Sequence, residues 1–335
     1  MTNNVTRALF GCAAVALMAA TPAEAADRNA DNNADRPDFQ TWLKDFRKEA
    51  RAEGIASDTL DKALTGISFK KRVVELDREQ PEFTLTYQEY MDQVVTEERI
   101  AEGREKLKAN RELLDRVVQK YGVPARFIVA LWGIETDYGG VRGDFRVIPA
   151  LATLTYDGRR QEFFRKEFLH ALHILDAGHV PPENMVGSWA GATGQPQFLP
   201  SSFRKHAVDF NGDGRKDIWN TKADVFGSAA NYLSELGWKT GWTWGRPVTL
   251  PDDFDKAKAD LDIRKKLAEW AEMGVKRANG APLPTADIEA SVLIPERSEG
   301  KAFVVYNNFR VILEWNQSSY FGLAVGQLAD AIAGR

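Results

Sequence analysis

Leu131-Trp132-Gly133-Ile134-Glu135-Thr136-Asp137-Tyr138-Gly139-Gly140 closes a short helix that starts at Pro124, where a proline suits the first turn because its missing N–H has no partner there anyway. Phe127, Ile128 and Leu131 recur at helical spacing, and Glu135 stands four residues past Leu131 and seven past Ile128. Its carboxyl therefore lies on the apolar stripe, in the last turn before a Gly-Gly break. Desolvation penalises the charged form of a carboxyl, and a helix C-terminus disfavours negative charge. A carboxylic acid that keeps its proton near neutral pH is what cleavage of a glycosidic bond requires. A glutamate at a helix end also simply snorkels to solvent, and this segment alone leaves both readings open.

The same helical periodicity dominates the chain outward from that point. Phe39, Trp42, Leu43 and Phe46 form an apolar face, Gly54 stops that helix, and Ser57 is placed to cap the next. A long helical stretch runs from Phe83 through Tyr121, with a break near Thr96 and a stop at Gly122. Gln161 to Ala177 is another helix, with Phe164, Phe168, Leu172 and Leu175 on its apolar face, and one more starts near Asp224 and stops at Gly237. Asp252 to Met273 reads as one or two charged surface helices. Strand signals come late: Ile288 to Ile294 and Ala302 to Tyr306 are β-prone and separated by the turn-like Pro295 to Gly300. A helix from about Ser319 to Ala333 ends the chain. The expected fold is mainly α, with a small β-containing part at about 246–310.

At 335 residues the chain can bury a large core, in one elaborated domain or two. A net charge of −4 with no basic cluster gives no footprint for nucleic acid. Residues 1–25 read as an export signal: Arg7 is the positive start, Ala8 to Ala20 is apolar, and Ala23-Glu24-Ala25 offers a cleavage site. The stretch is too short for a membrane span. Leu9-Phe10-Gly11-Cys12 partly resembles a lipidation box, but Phe10 is bulky and most of the apolar run follows Cys12, which favours a soluble exported protein. Cys12 is the only cysteine, so the exported chain has no disulfide and must rest on its core. Residues 26–36, rich in Asp and Asn, read as a disordered polar leader to the region 37–335.

Two further segments carry chemistry. Gly187-Ser188-Trp189-Ala190-Gly191-Ala192-Thr193-Gly194-Gln195-Pro196-Gln197-Phe198 is dominated by small residues, which lets backbone approach a ligand or another segment closely. Ser188, Gln195 and Gln197 then offer hydrogen-bonding groups to a sugar, or the whole segment is a tight packing turn. Asp209-Phe210-Asn211-Gly212-Asp213-Gly214-Arg215 places oxygen ligands at positions 1, 3 and 5 and a glycine at 6, as at the start of an EF-hand calcium loop. Position 7 would contribute the Arg215 carbonyl. No glutamate occupies position 12, and Asp224 is the best substitute, giving a longer, EF-hand-like loop over 209–224. Asp/Asn/Gly runs also form metal-free turns.

In order and spacing these blocks resemble the lytic murein transglycosylase B family, whose members have a goose-type-lysozyme-like helical core. The resemblance runs from Gln80-Pro81-Glu82-Phe83 through Tyr121-Gly122-Val123-Pro124, the Glu135 block, the Gly187 and Asp209 segments, Ala229-Ala230-Asn231-Tyr232-Leu233 and Gly237-Trp238 to Leu323-Ala324-Val325-Gly326. It implies that Glu135 is a single acid/base that cleaves the bond between N-acetylmuramic acid and N-acetylglucosamine without water, leaving 1,6-anhydromuramoyl ends. Ser188 and Gln197 would hold the sugar and its acetamido group, Arg159 and Arg160 would contact the glycan or its peptide carboxylates, and Tyr90, Tyr232 and Asn316 would line the cleft. For Arg159 and Arg160 the alternative is a solvated helix-start pair, and either tyrosine could instead belong to the core. Asp209, Asn211, Asp213, Arg215 and Asp224 would bind a structural calcium ion. The partners implied are peptidoglycan strands and cell-wall synthesis proteins, in the periplasm. A muramidase and a non-catalytic glycan-binding scaffold are the alternatives. The chain departs from the family pattern at Thr193, where the family usually has Met, and at Trp315 and Phe321, which replace two tyrosines.

Overall fold

The computed structural model describes residues 37–79 and 85–334. The export signal, the leader, Cys12 and the Gln80-Pro81-Glu82-Phe83 block lie outside the described residues. The chain divides into two compact units, one comprising Met1–Glu82 and Glu135–Asn231, the other Phe83–Ile134 and Tyr232–Arg335. Both are built chiefly of helices, as the periodicity predicts.

In the first unit, α1 (Phe39–Ala52), α2 (Ser57–Leu64) and α3 (Lys71–Arg78) precede α8 (Val147–Asp157), α9 (Gln161–Asp176) and α10 (Pro200–His206). Asp38 caps α1 by accepting from the amides of Gln40 and Thr41. Phe39, Leu43 and Phe46 are buried as expected, Trp42 is half-buried, and Phe46 stacks on Phe168 of α9 with centroids 4.4 Å apart. Helix α8 is the centre of this unit, buried from Val147 through Thr155. Ser57 does not cap α2: Ala56 holds the cap position, and Asp176, at the end of α9, accepts from the Ala56 amide at 3.1 Å and the Thr59 hydroxyl at 2.6 Å. A carboxylate 120 positions away does the work expected of a local hydroxyl.

Glu167 of α9 is 4% exposed, and its carboxylate accepts from the Ser201 amide at 2.9 Å, in the first turn of α10. Burial pushes its pKa above the ordinary carboxyl value, and the Ser201 hydrogen bond counters part of that rise. The folded state then holds this proton more tightly than the unfolded chain does. Stability contributed here is therefore greatest at low pH and falls as pH rises from the ordinary carboxyl range through the raised pKa. Glu167→Gln keeps an acceptor and removes the charge, so we expect it to melt at or above the wild-type temperature at pH 7. That advantage should shrink as pH falls toward 4.5. A variant that melts lower than wild type at pH 7 would show that the charge–helix interaction outweighs desolvation.

In the second unit, α4 (Tyr87–Val94) opens with a capping box between Thr86 and Glu89, α5 (Glu97–Ala109) starts at Thr96, and α6 (Arg111–Tyr121) ends at Gly122 with φ +70°. The expected break at Thr96 is thus a cap. Helices α13 (Asn307–Trp315) and α14 (Ser319–Ile332) close the unit. Its sheet is antiparallel, in the order β4 (Lys265–Lys266), β6 (Glu289–Leu293), β7 (Ala302–Val305), β3 (Gly245–Thr249), β5 (Lys276–Arg277). The two predicted strands are β6 and β7, while β3 escapes sequence reading because only Gly245 and Val248 along it are buried.

The charged surface helices expected over Asp252 to Met273 do not form. That stretch contains a single 3₁₀ turn at Lys256–Lys258, strand β4 and the short α12 (Leu267–Glu272). Leu267 and Trp270 are fully buried with Val292 and Val304, and the Trp270 indole donates to the Ala290 carbonyl at 2.9 Å. Two large apolar side chains outweigh their charged neighbours because the sheet leaves a face for them to cover.

Candidate active site

Glu135 lies in the last turn of α7 (Ala125–Thr136) and is 1% exposed. Phe127 and Ile128 are fully buried on the same helix. The snorkelling alternative is therefore excluded for this side chain. The chain then turns back through Asp137, Tyr138 and Gly139, at φ +49°, +57° and +85°, and the Val141 amide closes the turn on the Thr136 carbonyl at 2.8 Å. Two consecutive non-glycine residues in the left-handed region cost roughly 1–2 kcal/mol each. The expected Gly-Gly break is thus sharper, and begins two residues earlier.

Thr136 joins this helix end to the second segment: its hydroxyl donates to the Gln195 carbonyl at 2.8 Å and accepts from the Gly139 amide at 3.2 Å. The Gly187–Phe198 segment is a pair of nested turns. The Ser188 amide donates to the Ala192 carbonyl at 2.8 Å, and Thr193 and Phe198 exchange amide–carbonyl bonds of 2.8 and 3.0 Å. The small residues serve this close approach, since a Cβ on Gly187 would sit 1.9 Å from the Ala192 carbonyl oxygen. Short strands β1 (Phe145–Arg146) and β2 (Val186–Gly187) pair antiparallel and fasten the segment's entry to the chain beyond Glu135.

Ser188, Gln195 and Gln197 are all buried, at 1%, 7% and 7% exposure. The Ser188 hydroxyl accepts from the Ala192 amide, which leaves its own hydrogen as a donor. Gln197, held at φ +49°, donates its amide to the carbonyls of Gly194 and Arg142, leaving its side-chain oxygen as acceptor. Gln195, read as a ligand-binding group, donates instead to the Trp219 carbonyl at 2.8 Å and so stitches two segments together.

Thr193, fully buried, donates to the Val186 carbonyl at 2.7 Å and accepts from the Trp219 indole at 2.8 Å. Its hydroxyl is thus a node of the scaffold. Nothing local in the sequence pairs Thr193 with Trp219, 26 positions away.

The acidic loop closes on itself. Asp209 accepts from the amides of Gly212, Asp213 and Gly214, and Asp213 accepts from the Arg215 amide and the Asn211 side chain. Those bonds hold the Asp213 carboxyl below its ordinary pKa, the Asn211 contact first. Asp224, fully buried at the start of α11 (Lys222–Glu235), accepts from the amides of Phe210 and Asp217 at 2.8 and 2.7 Å, drawing the two ends of the loop together. Its burial raises the carboxyl pKa, and these backbone bonds oppose the rise. Among the described residues no group of three or more His, Cys, Asp or Glu side chains is gathered as a metal site. The donor set of carboxylate, carboxamide and carbonyl oxygens nevertheless suits a hard cation.

Arg159 and Arg160 are not a free helix-start pair: both bind Asp77, a residue that sequence reading passed over, although the Arg159 side chain stays 44% exposed. Asp77 lies in the strongly charged α3, three and four residues past the buried Val74 and Val73, so the helical spacing that marks Glu135 could have found it.

Tyr90, Tyr232 and Asn316 belong to the second unit. The Tyr90 ring lies 5.6 Å from that of Tyr320. Tyr232 is 8% exposed, packs 4.8 Å from Trp315, and donates its hydroxyl to the Glu314 carbonyl at 2.6 Å; burial pushes its pKa up to about 12. Asn316 accepts from the Ser318 amide at 3.0 Å, just before α14. Tyr320, one residue from Phe321, donates its hydroxyl to the Glu296 carbonyl.

A mainly helical chain with one deeply buried glutamate at the end of an apolar helix, locked to a nested turn segment, defines a lysozyme-like class. The chain belongs to the Transglycosylase SLT domain family, whose profile matches residues 38–330. It is 33% identical over 251 residues to the membrane-bound lytic murein transglycosylase B of Escherichia coli (strain K12), over 73% of this chain and 66% of that protein. The chain thus spans just under two thirds of the length of that curated relative. Its structure matches SltB3 from Pseudomonas aeruginosa in complex with NAG-anhNAM-pentapeptide at 46% identity and TM-score 0.86, over 88% of this chain and 80% of that one. It also matches the Escherichia coli lytic transglycosylase Slt35 in complex with calcium at 29% identity and TM-score 0.74, over 90% and 94% of the two chains.

Proposed function

We propose that this protein is a peptidoglycan lytic transglycosylase with Glu135 as its only catalytic carboxylate. The burial of that side chain, at 1% exposure in the last turn of a helix whose Phe127, Ile128 and Leu131 are buried, carries the reading. Burial disfavours the charged form, so the group is suited to deliver a proton to the glycosidic oxygen between N-acetylmuramic acid and N-acetylglucosamine. The carboxylate so formed takes the proton of the muramoyl C6 hydroxyl, whose oxygen bonds to the anomeric carbon as the old C–O bond breaks. Glu135 ends protonated, and no water is consumed. The nearby Asp137 stands two residues on, after the helix has ended, which speaks against a conventional carboxylate pair. The complex of the relative SltB3 with an anhydro-sugar pentapeptide supports the same product.

The Ser188 hydroxyl and the Gln197 carbonyl would hold the sugar, as donor and acceptor respectively. Arg159, Arg160, Tyr90, Tyr232 and Asn316 would contact the rest of the substrate. Digestion of purified peptidoglycan followed by mass analysis tests the reading: the anhydro ends are lighter by one water than those a muramidase releases, and a scaffold releases none.

Calcium is proposed as a structural ion of the 209–224 loop, held by Asp209, Asn211, Asp213, the Arg215 carbonyl and Asp224. The calcium complex of the relative Slt35 supports it. A chelator should then lower the melting temperature of the wild type and leave that of Asp213→Ala unchanged, because an ion that binds only the folded state stabilises it by mass action. Equal responses would exclude the site. Export to the periplasm through residues 1–25 completes the proposal; among the described residues no helix is long and apolar enough to cross a membrane.

A further inference from the structure

In the sheet of the second unit, two arginines and a tyrosine meet on one face. Arg246 of β3 stands opposite Val304 of β7, and Val248 of β3 opposite Arg277 of β5. Side chains alternate along a strand, and residues directly opposite share a face, so Arg246, Val248, Arg277 and Val304 point the same way. Tyr306 continues that face two residues past Val304. Its backbone is still extended, at φ −112° and ψ −175°, and its amide donates to the Trp244 carbonyl at 2.8 Å. Val248, Val304 and Tyr306 belong to the buried cluster around Trp270. Both arginines therefore stand on the core side of the sheet.

Arg246 Nε donates to the Tyr306 hydroxyl at 2.8 Å, and its guanidinium lies 5.8 Å from the centroid of that ring. Tyr306 is 2% exposed; burial raises its pKa, and the positive charges of Arg246 and Arg277 oppose the rise. Both guanidinia thus bear on one phenol oxygen. Because that oxygen accepts from Arg246, its own hydrogen remains to be donated. Arg277 Nε is buried with no hydrogen-bond partner, and among the described residues neither arginine pairs with a carboxylate. Charge on an edge strand such as β5 commonly keeps other strands away, a role that suits the exposed Lys276. Arg277 is half-buried and faces the core, so that account does not cover it. Like charges without a counter-ion repel, and a buried donor without a partner is destabilising. Local violations of this kind concentrate at functional sites.

We infer that Arg246, Arg277 and the Tyr306 hydroxyl form an anion site whose ligand is a phosphate group. Two uncompensated guanidinia match the charge of about −1.5 to −2 that a phosphate monoester carries near neutral pH. Three donor groups match its three terminal oxygens, and the guanidinium fork suits phosphate geometry. A single carboxylate would leave one positive charge unmatched. All three residues belong to the second unit and Glu135 to the first, so binding here can be measured whether or not glycan is cleaved.

Calorimetric titrations and thermal melts of the whole protein, at constant ionic strength in chloride, test this with three probes: inorganic phosphate, N-acetylglucosamine 1-phosphate and acetate. The wild type should bind at least one of the phosphates saturably and melt higher in its presence, with no such response to acetate. Arg277→Gln should weaken that binding about tenfold or more, as loss of a charge-assisted hydrogen bond warrants. In phosphate-free buffer the same variant should melt at or above the wild-type temperature, because it loses a like-charge neighbour and the charge on a partnerless buried group. An arginine kept only for the fold would do the reverse, melting lower in every buffer with affinity unchanged. If Arg277→Gln does not fold, Tyr306→Phe, which keeps the ring in the core, decides the matter and should also lose affinity. The tighter of the two phosphates identifies the source as free or sugar-borne, and either order supports the site. No saturable binding of either phosphate, an equal response to acetate, or full affinity in either folded variant overturns the inference.

Discussion

Glu135→Gln is expected to abolish release of anhydro ends from peptidoglycan, with turnover falling by roughly 10²–10⁴-fold, the usual share of a positioned general acid–base group. The substitution keeps the shape of the side chain and removes only its titratable proton. Because the carboxyl is 1% exposed, the neutral amide has no charge to desolvate, and the variant should melt at or above the wild-type temperature. The pairing of a lost activity with retained stability is the informative result. A variant that still makes anhydro ends at a comparable rate would remove Glu135 from the mechanism. A wild type that releases reducing ends, heavier by one water, would replace the lytic reading with hydrolysis.

Gly187→Ala should cost about 3 kcal/mol or more, at the upper end of what overpacking costs, because its Cβ would meet backbone on the facing turn. The Ala192 carbonyl oxygen lies 1.9 Å from that position and its carbon 2.9 Å. Neither belongs to a side chain that can swing aside. Relief requires opening the nested turns, which carry the Ser188–Ala192 and Thr193–Phe198 bonds. The denaturation midpoint in urea should fall accordingly, and glycan cleavage should fall with it although Glu135 is untouched. A variant with wild-type midpoint and activity would show that the segment is looser than its contacts imply.

Much of this site was legible because its signals are local. The apolar stripe of α7 comes from residues three and four apart, and burial of Glu135 follows from its place on that stripe. The stop at Gly122 and the cap at Thr96 depend on one residue each. Ser188, Gln197 and the alternating oxygens from Asp209 to Asp213 stood out for the same reason.

What stayed hidden depends on partners far along the chain. Asp77 meets Arg160 across 83 positions, Glu167 meets Ser201 across 34, and Asp176 takes over a cap from 120 positions away. Leu267 and Trp270 looked like incidental apolar residues on a charged stretch until a sheet built from strands as distant as Gly245 and Val305 supplied the face they cover.

The sequence by itself determined that the chain is mainly helical, that one carboxyl lies on an apolar stripe, and where the small-residue and acidic loops fall. These follow from backbone periodicity and side-chain chemistry within a few residues. Only the tertiary structure decided which polar groups are spent on the scaffold and which remain for a ligand. Gln195, Thr193 and Asp77 went to the scaffold, whereas the Ser188 hydrogen and the Gln197 carbonyl bond to no other of the described residues. A hydrogen-bonding group is free or committed according to what packs against it, and that is settled when distant segments meet.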